Sequence, residues 1–158
     1  MNLTAILLIA GLASPAFAAC TPETPSAAPE PRPELGPPTA LRLFADVEDA
    51  WATSDAERLA SLVDTSAVRI AVKPGAPLTA ALTRVAAAFL LQDQLRLVRT
   101  QGFQMTRFQY DPKKRICRAT ATWTGDWGGR QGRRAVRVAL IAKPTNNRWF
   151  LTEIRAED

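Results

Sequence analysis

Residues 133–154, RRAVRVALIAKPTNNRWFLTEI, contain the clearest structural pattern of the chain. Val136, Val138 and Leu140 alternate with charged or small residues, as in a strand with one buried face. Residues 144–147 are turn formers, and residues 148–156 resume an alternation with Phe150 and Ile154 in phase. We therefore predict a β-hairpin at this end of the sequence.

The chain before this hairpin also has β character. Residues 95–110 predict a long strand with a bulge at Gly102. Asp111-Pro-Lys-Lys predicts a turn into a strand over residues 115–125, and the glycine-rich residues 128–132 predict the turn into a strand over 133–143. The second half of the chain is thus an antiparallel meander of three or four strands.

Helical periodicity begins at Thr39. Apolar residues recur at spacings of three and four over the next twelve positions, which predicts an amphipathic helix with a buried face of Leu43, Phe44, Val47, Ala50 and Trp51. Ser54-Asp-Ala-Glu57 matches a capping box that starts a short second helix, in which the Ser54 hydroxyl caps the free amides.

A strand and a third helix complete the N-terminal half. Val68, Ile70 and Val72 alternate with Arg69 and Ala71, which predicts a half-buried strand that ends at the turn residues 73–77. Residues 78–91 predict a helix with inward Leu82, Val85, Phe89 and Leu90.

These elements predict one α+β domain over residues 39–158. A curved antiparallel sheet of about four to five strands, packed on one face by about three N-terminal helices, buries all of the apolar faces. The two remaining segments are a signal peptide over residues 1–19 and a proline-rich disordered tether over residues 20–38.

Two stretches carry a resemblance to a known superfamily. They are the Val68-Arg-Ile-Ala-Val72 strand between the second and third helices, and the closing Asn147-Arg-Trp-Phe-Leu-Thr-Glu-Ile154. With this order of elements, residues 41–157 resemble the nuclear transport factor 2-like, or cystatin-like, α+β superfamily, and are similar in particular to small uncharacterised exported bacterial proteins. The resemblance implies a cone-shaped fold. It implies no single activity, because that superfamily contains isomerases, dehydratases, hydrolases, scaffolds and secretion-system components.

The N-terminus predicts export. Residues 2–12 form an apolar run of signal-peptide length, too short to span a membrane permanently. Ala16-Phe-Ala18 fits cleavage after Ala18, whereas Phe17-Ala-Ala-Cys20 resembles the bacterial lipobox and fits cleavage before Cys20. We expect a periplasmic or cell-envelope protein that is attached to the membrane by lipid on Cys20, with a tether that reaches roughly 55 Å. A soluble exported protein is the alternative.

The chemical state of the second cysteine depends on which of the two cleavage sites is used. Cys117 is in phase with Ala119, Ala121 and Trp123 of a predicted strand. If Cys20 is acylated, Cys117 is a lone buried thiol. If Cys20 is free in an oxidising compartment, a Cys20–Cys117 disulfide is the alternative.

Composition excludes several classes of active site. The chain has no histidine, which removes Ser-His-Asp and Cys-His nucleophilic sites and histidine-containing zinc sites. We predict no metal and no cofactor. The net charge of +5 is compatible with attraction to anionic lipid, acidic proteins or nucleic acid, or with solubility alone. Export argues against nucleic acid, and aromatic residues do not alternate with basic ones along one strand.

Two groups of residues are candidate binding sites. A cavity between sheet and helices, suited to an apolar ligand, has the candidate lining Trp51, Phe89, Tyr110 and Trp123, which are equally compatible with plain core. An interaction hairpin has the candidate residues Trp127, Arg130, Arg133 and Arg134, because tryptophan and arginine often anchor interfaces. The alternative for Trp127 is that it folds back onto the sheet edge.

The sequence favours a non-catalytic ligand-binding or protein-interaction module of the cell envelope. The competing hypothesis is a small cavity enzyme, of isomerase, dehydratase or hydrolase type, that acts on an apolar molecule. Its groups would be Tyr110 and an inward carboxylate from Asp46, Asp64 or Glu153, and surface ion pairs are the alternative for these carboxylates. No catalytic residue carries over from the resemblance. A third hypothesis is a homodimer through the open sheet face, because Ala135, Ala139 and Ile141 lie opposite the phase of Val136, Val138 and Leu140.

Overall fold

A computed structural model describes residues 36–128 and 132–157. The elements in chain order are α1 (Pro38–Ala52), α2 (Ala56–Ser61), β1 (Arg69–Ala71), α3 (Arg84–Leu97), β2 (Arg99–Asp111), β3 (Ile116–Asp126), β4 (Arg133–Thr145) and β5 (Arg148–Glu157). The predicted signal peptide, Cys20, most of the predicted tether and Arg130 lie outside the described residues.

The five strands form one open curved sheet in the order β1-β5-β4-β3-β2. Strands β2 to β5 are an antiparallel meander of sequence neighbours. Strand β1 pairs in parallel with β5, so the sheet is mixed at that one edge. The predicted α+β class, with three helices and four to five strands, is confirmed.

Turns and bulges follow local sequence closely. The β2–β3 register shifts between Thr100 and Gly102, which confirms the predicted bulge. Between β4 and β5, Asn146 and Asn147 both have positive φ angles, 49° and 60°. Asparagine tolerates this conformation better than most residues, and two such residues in succession make the tight turn that suits twisted strands.

The boundary between α1 and α2 differs from the prediction. Ser54 has a φ of 56° and follows the end of α1 instead of capping α2. The N-cap of α2 is Asp55, whose carboxylate accepts the Arg58 backbone N–H at 2.9 Å. The predicted capping box therefore began one residue too early in the sequence, because Ser54 adopts the left-handed conformation that ends α1.

The orientation of α3 also differs. Its buried residues are Ala87, Leu91 and Leu95, whereas Val85 and Phe89 are 67% and 69% exposed. Phe89 is two positions from Ala87 and from Leu91, which is about 200° around a helix, so it lies on the opposite side. The helix also continues to Leu97, through residues that we predicted to begin a strand.

One hydrophobic core fills the space between the sheet and the helices. The predicted face of α1 is buried in full, and it packs against the inward phase of the strands, which includes Cys117, Ala119, Ala121, Trp123, Val136, Val138, Leu140 and Ile154. Among the described helices, none combines the length and the apolar character needed to cross a membrane.

Candidate functional site

The interior beneath α1 is occupied by aromatic rings. Trp51 stacks on Phe103 with 4.6 Å between ring centroids, and Trp123 meets Trp51 edge-on at 5.3 Å. The Trp123 Nε1–H donates to Thr100 Oγ1 at 3.1 Å. Trp51 and Trp123 are fully buried, so these two predicted cavity residues are core.

The other two predicted cavity residues lie elsewhere. Tyr110 is half-buried near the end of β2, with its ring 6.2 Å from that of Trp149. Phe89 lines an external groove of about 400 Å³ between α2 and α3, together with Val85 and Ala60. The structure therefore does not bring the predicted lining together, because α3 turns Phe89 towards solvent.

Asp64 is the most buried carboxylate among the described residues, with 7% of its surface exposed. The backbone N–H and hydroxyl of Ser66 donate to its Oδ1 at 2.9 and 2.7 Å, and the Thr145 hydroxyl donates to Oδ2 at 3.1 Å. Burial favours a higher pKa for Asp64, but these hydrogen bonds and the charge of Arg84 together hold the pKa below its ordinary value. Asp64 is thus an ionised structural acceptor, unlike the raised-pKa carboxyl of a general acid.

The two other candidate carboxylates are both paired with arginines, Asp46 at the surface and Glu153 with only 12% of its side chain exposed. Asp46 lies 3.4 Å from the Arg58 guanidinium. Glu153 is held by Arg69 and by Arg155, the latter at 3.4 Å. An ion pair is thus the arrangement found for both residues, and the register places Glu153 on the open face of the sheet, opposite Arg69 and Ile141.

The predicted interaction hairpin is tied to the core. Trp127 packs on Trp123 with 4.7 Å between ring centroids, and the Arg134 guanidinium carbon lies 4.8 Å from the centre of the Trp127 ring. Trp127 therefore folds back onto the sheet, as the alternative interpretation held. Arg133 is exposed and lies on the opposite face of β4 from Arg134. Arg130 lies outside the described residues.

The open sheet face has an ordered arrangement that sequence reasoning missed. Directly opposed residues of neighbouring strands share a face. The register therefore places three rows across this face: Arg69-Glu153-Ile141-Arg118-Gln109, then Ala71-Arg155-Ala139-Thr120-Arg107, then Glu157-Arg137-Thr122-Gln104. We call these rows the arginine face, because each of the five strands contributes one arginine.

Positive charge is in excess on the arginine face. Five arginines against two glutamates leave +3. Glu153 pairs with Arg69 and Arg155, and Glu157 lies 3.7 Å from Arg137. No carboxylate of the described residues lies within 4.0 Å of Arg107 or Arg118.

These two arginines line a depression of about 260 Å³. Gln109, Arg155 and the carboxylates of Glu153 and Glu157 also line it, above a floor that includes Ala139 and Ile141. Both glutamates are already paired with other arginines of the face. The small side chain of Ala139 leaves room for a ligand group, and two guanidiniums without a carboxylate partner among the described residues suit carboxylate oxygens. The alternation of residues along β3 is enough to predict from sequence that Arg118 points outward. Which residues of the adjacent strands lie beside it depends on the strand register.

The described residues offer no metal centre, since no three of their cysteine, aspartate or glutamate side chains cluster suitably. The arginine face presents guanidinium and amide donors together with the carboxylates of Glu153 and Glu157.

Comparison with known proteins relates the chain to solved structures only. No protein-family model matches the sequence, and no curated protein matches it significantly. A DUF4783 family protein from Bacteroides ovatus aligns with a TM-score of 0.60 at 16% identity, covering 72% of this chain and 93% of its own. An uncharacterised protein with a cystatin-like fold from Caulobacter vibrioides aligns at 0.59 and 16% identity, covering 75% and 86%.

A design of the nuclear transport factor 2-like type also aligns, with a TM-score of 0.57 at 18% identity, covering 75% of this chain and 96% of its own. At these identities the likeness concerns fold alone. The chain has the nuclear transport factor 2-like, or cystatin-like, fold that its sequence resembles.

Proposed function

We propose that the protein is an exported, lipid-anchored module of the cell envelope that binds an acidic protein segment through the arginine face, without catalysis. The observation that carries the proposal is the pair Arg107 and Arg118, which line one depression and have no carboxylate partner within 4.0 Å among the described residues. Unpaired neighbouring guanidiniums repel each other, and bound carboxylates would remove that cost.

The width of the face favours an extended partner over a small anion. Four spacings of about 4.8 Å separate β1 from β2, so the arginines span about 19 Å. A single carboxylate engages one or two guanidiniums. A segment with several acidic residues would engage arginines of several strands.

Charge also favours a foreign partner over a second copy of the chain. Two copies joined by this face would bring +3 against +3, which electrostatic complementarity disfavours. The homodimer predicted from Ala135, Ala139 and Ile141 is therefore the competing outcome of the test.

Two observations support binding over catalysis. Bulky aromatic side chains occupy the core where the enzyme hypothesis places a cavity. The most buried described carboxylate, Asp64, has a lowered pKa, and its backbone N–H donates to Leu151 of β5, from which Tyr110 on β2 is separated by β3 and β4. Export and lipid attachment are supported by the apolar run and the lipobox-like Phe17-Ala-Ala-Cys20.

The test is a titration of the mature protein with a short polyglutamate peptide, with polyglutamine of equal length as the control ligand. We expect salt-sensitive binding of polyglutamate that weakens about tenfold in Arg107→Gln/Arg118→Gln. The matched control is Arg42→Gln/Arg96→Gln, which removes the same charge from exposed helix positions.

Equal losses in the two variants, or no binding by the unsubstituted protein, would overturn the arginine face as the site. A dimer of the unsubstituted protein in sedimentation, strengthened by Arg107→Gln/Arg118→Gln because these substitutions lower the repulsion between the two faces, would replace the proposal with self-association. Lipid attachment is tested separately by the mass of the N-terminal peptide from the native host. A peptide that begins at Ala19 without lipid would contradict the anchor.

A further inference from the structure

One end of the sheet carries two turns side by side. The β2–β3 turn follows Asp111 and precedes Ile116, and the β4–β5 turn lies at Asn146 and Asn147. Cys117 at the start of β3 opposes Ala142 near the end of β4. Both turns therefore project from the same end.

This end is strongly basic. Its five exposed cations are Lys113, Lys114, Arg115, Lys143 and Arg148, and we call it the basic end. It includes three of the four lysines in the chain. Two described carboxylates adjoin these turns: Asp111, whose Oδ1 already accepts the Lys114 backbone N–H at 3.0 Å, and the buried Asp64, whose Oδ2 accepts the Thr145 hydroxyl at 3.1 Å. Five cations against these two carboxylates leave the end positive.

The chain enters the domain at the same place. At Gly36, the first described residue, an added Cβ would lie 3.1 Å from Cys117 Sγ and 3.5 Å from Tyr110 Cβ. Tyr110 and Cys117 oppose each other directly beside the β2–β3 turn. The segment that leads back to Cys20 thus joins the domain next to the basic end.

We infer that the basic end docks on an anionic lipid surface, with the phosphate headgroups of the membrane as its ligands. The inference rests on the proposed lipid anchor at Cys20, which would hold the domain at that surface. Lysine clusters beside a membrane attachment are attracted by anionic headgroups, and a lipid chain with a polybasic patch binds better than either alone. In this orientation the strands rise from the membrane, and the arginine face stays accessible to a protein partner.

The experiment uses the mature chain from position 20 with Cys20→Ser, so that acylation plays no part. Vesicles of equal parts phosphatidylcholine and phosphatidylglycerol are compared with pure phosphatidylcholine by co-sedimentation at low salt. We expect binding to the anionic vesicles only. Lys113→Gln/Lys114→Gln/Lys143→Gln should weaken it about 100-fold, because each cation near the surface contributes about fivefold.

The matched control is Arg96→Gln/Arg99→Gln/Arg133→Gln, which removes the same charge from exposed positions away from the two turns: the last turn of α3 and the first residues of β2 and β4. It should weaken binding by less than about threefold, because charges beyond the screening length contribute little. The double variant Lys113→Gln/Lys114→Gln, confined to exposed turn residues, should lose about 25-fold and guards against misfolding of the triple variant.

Three results would overturn the inference: no preference of the unsubstituted chain for anionic vesicles, equal losses in the two triple variants, or displacement by soluble glycerol phosphate beyond that of sodium chloride at equal ionic strength. The last would indicate a free-phosphate site. Failure here leaves polyglutamate binding and the mass of the N-terminal peptide unaffected, so it is distinguishable from failure of the proposed function.

Discussion

Replacing Asp64 with alanine should destabilise the domain by about 3 kcal/mol. The carboxylate joins the loop after α2 to the end of β4 through Ser66 and Thr145. Hydrogen bonds to charged groups contribute about 1.5–3 kcal/mol each, and neutral ones about 1. Ser66 is exposed, so water can replace part of its two hydrogen bonds to Asp64 when the carboxylate is removed. We therefore assign about 1 kcal/mol to each of the three hydrogen bonds, which gives a total of about 3 kcal/mol.

The effect should depend on pH with a defined sign. The pKa of Asp64 is lower in the folded protein than its ordinary value, so the unfolded chain binds the proton more tightly. The stabilising contribution is therefore fully present above the unfolded pKa of about 3.9, and is lost as pH falls through the folded pKa.

Urea unfolding at neutral and acidic pH measures both effects. Asp46→Ala is the control, because the Asp46–Arg58 pair is exposed and should contribute less than about 1 kcal/mol. If Asp64→Ala lowers the free energy of unfolding no more than the control does, or by the same amount in acid as at neutral pH, the hydrogen bonds from Ser66 and Thr145 to Asp64 do not stabilise the fold as argued. Loss of an enzymatic activity without loss of stability would restore Asp64 as a catalytic candidate.

Two further predictions concern buried positions. Gly125→Ala should cost about 1–3 kcal/mol in urea unfolding, because its methyl group would lie 2.7 Å from Val98 Cγ1. Gly102→Ala, with no heavy atom within 4 Å, should cost less than about 0.5 kcal/mol, and equal costs would contradict the packing. Burial raises the pKa of the Cys117 thiol, so a thiol reagent should label Cys117 only after unfolding. Failure to label it in urea without reductant would instead indicate the Cys20–Cys117 disulfide.

Local patterns predicted most of the elements correctly. Alternation identified the meander, because one face of each strand is buried and the other is not. Spacing identified the buried face of α1, and the asparagine pair identified the last turn. For α3, residues Val85 and Phe89 have the same spacing of four as Ala87 and Leu91, so periodicity could not choose between the two faces.

The amino-acid order alone thus established a one-domain α+β fold and the phases of β3 and β4, because both follow from neighbours a few positions apart. For β5 the predicted phase was wrong, since the register shift after Ile141 places Phe150, opposite Lys143, on the other face from Ile154. Strand register and helix docking determined the rest. They placed Trp51 and Trp123 against each other, engaged Asp64 with Thr145, and brought one arginine from every strand onto one face. These contacts join residues distant in the chain, and their partners depend on how the whole core packs.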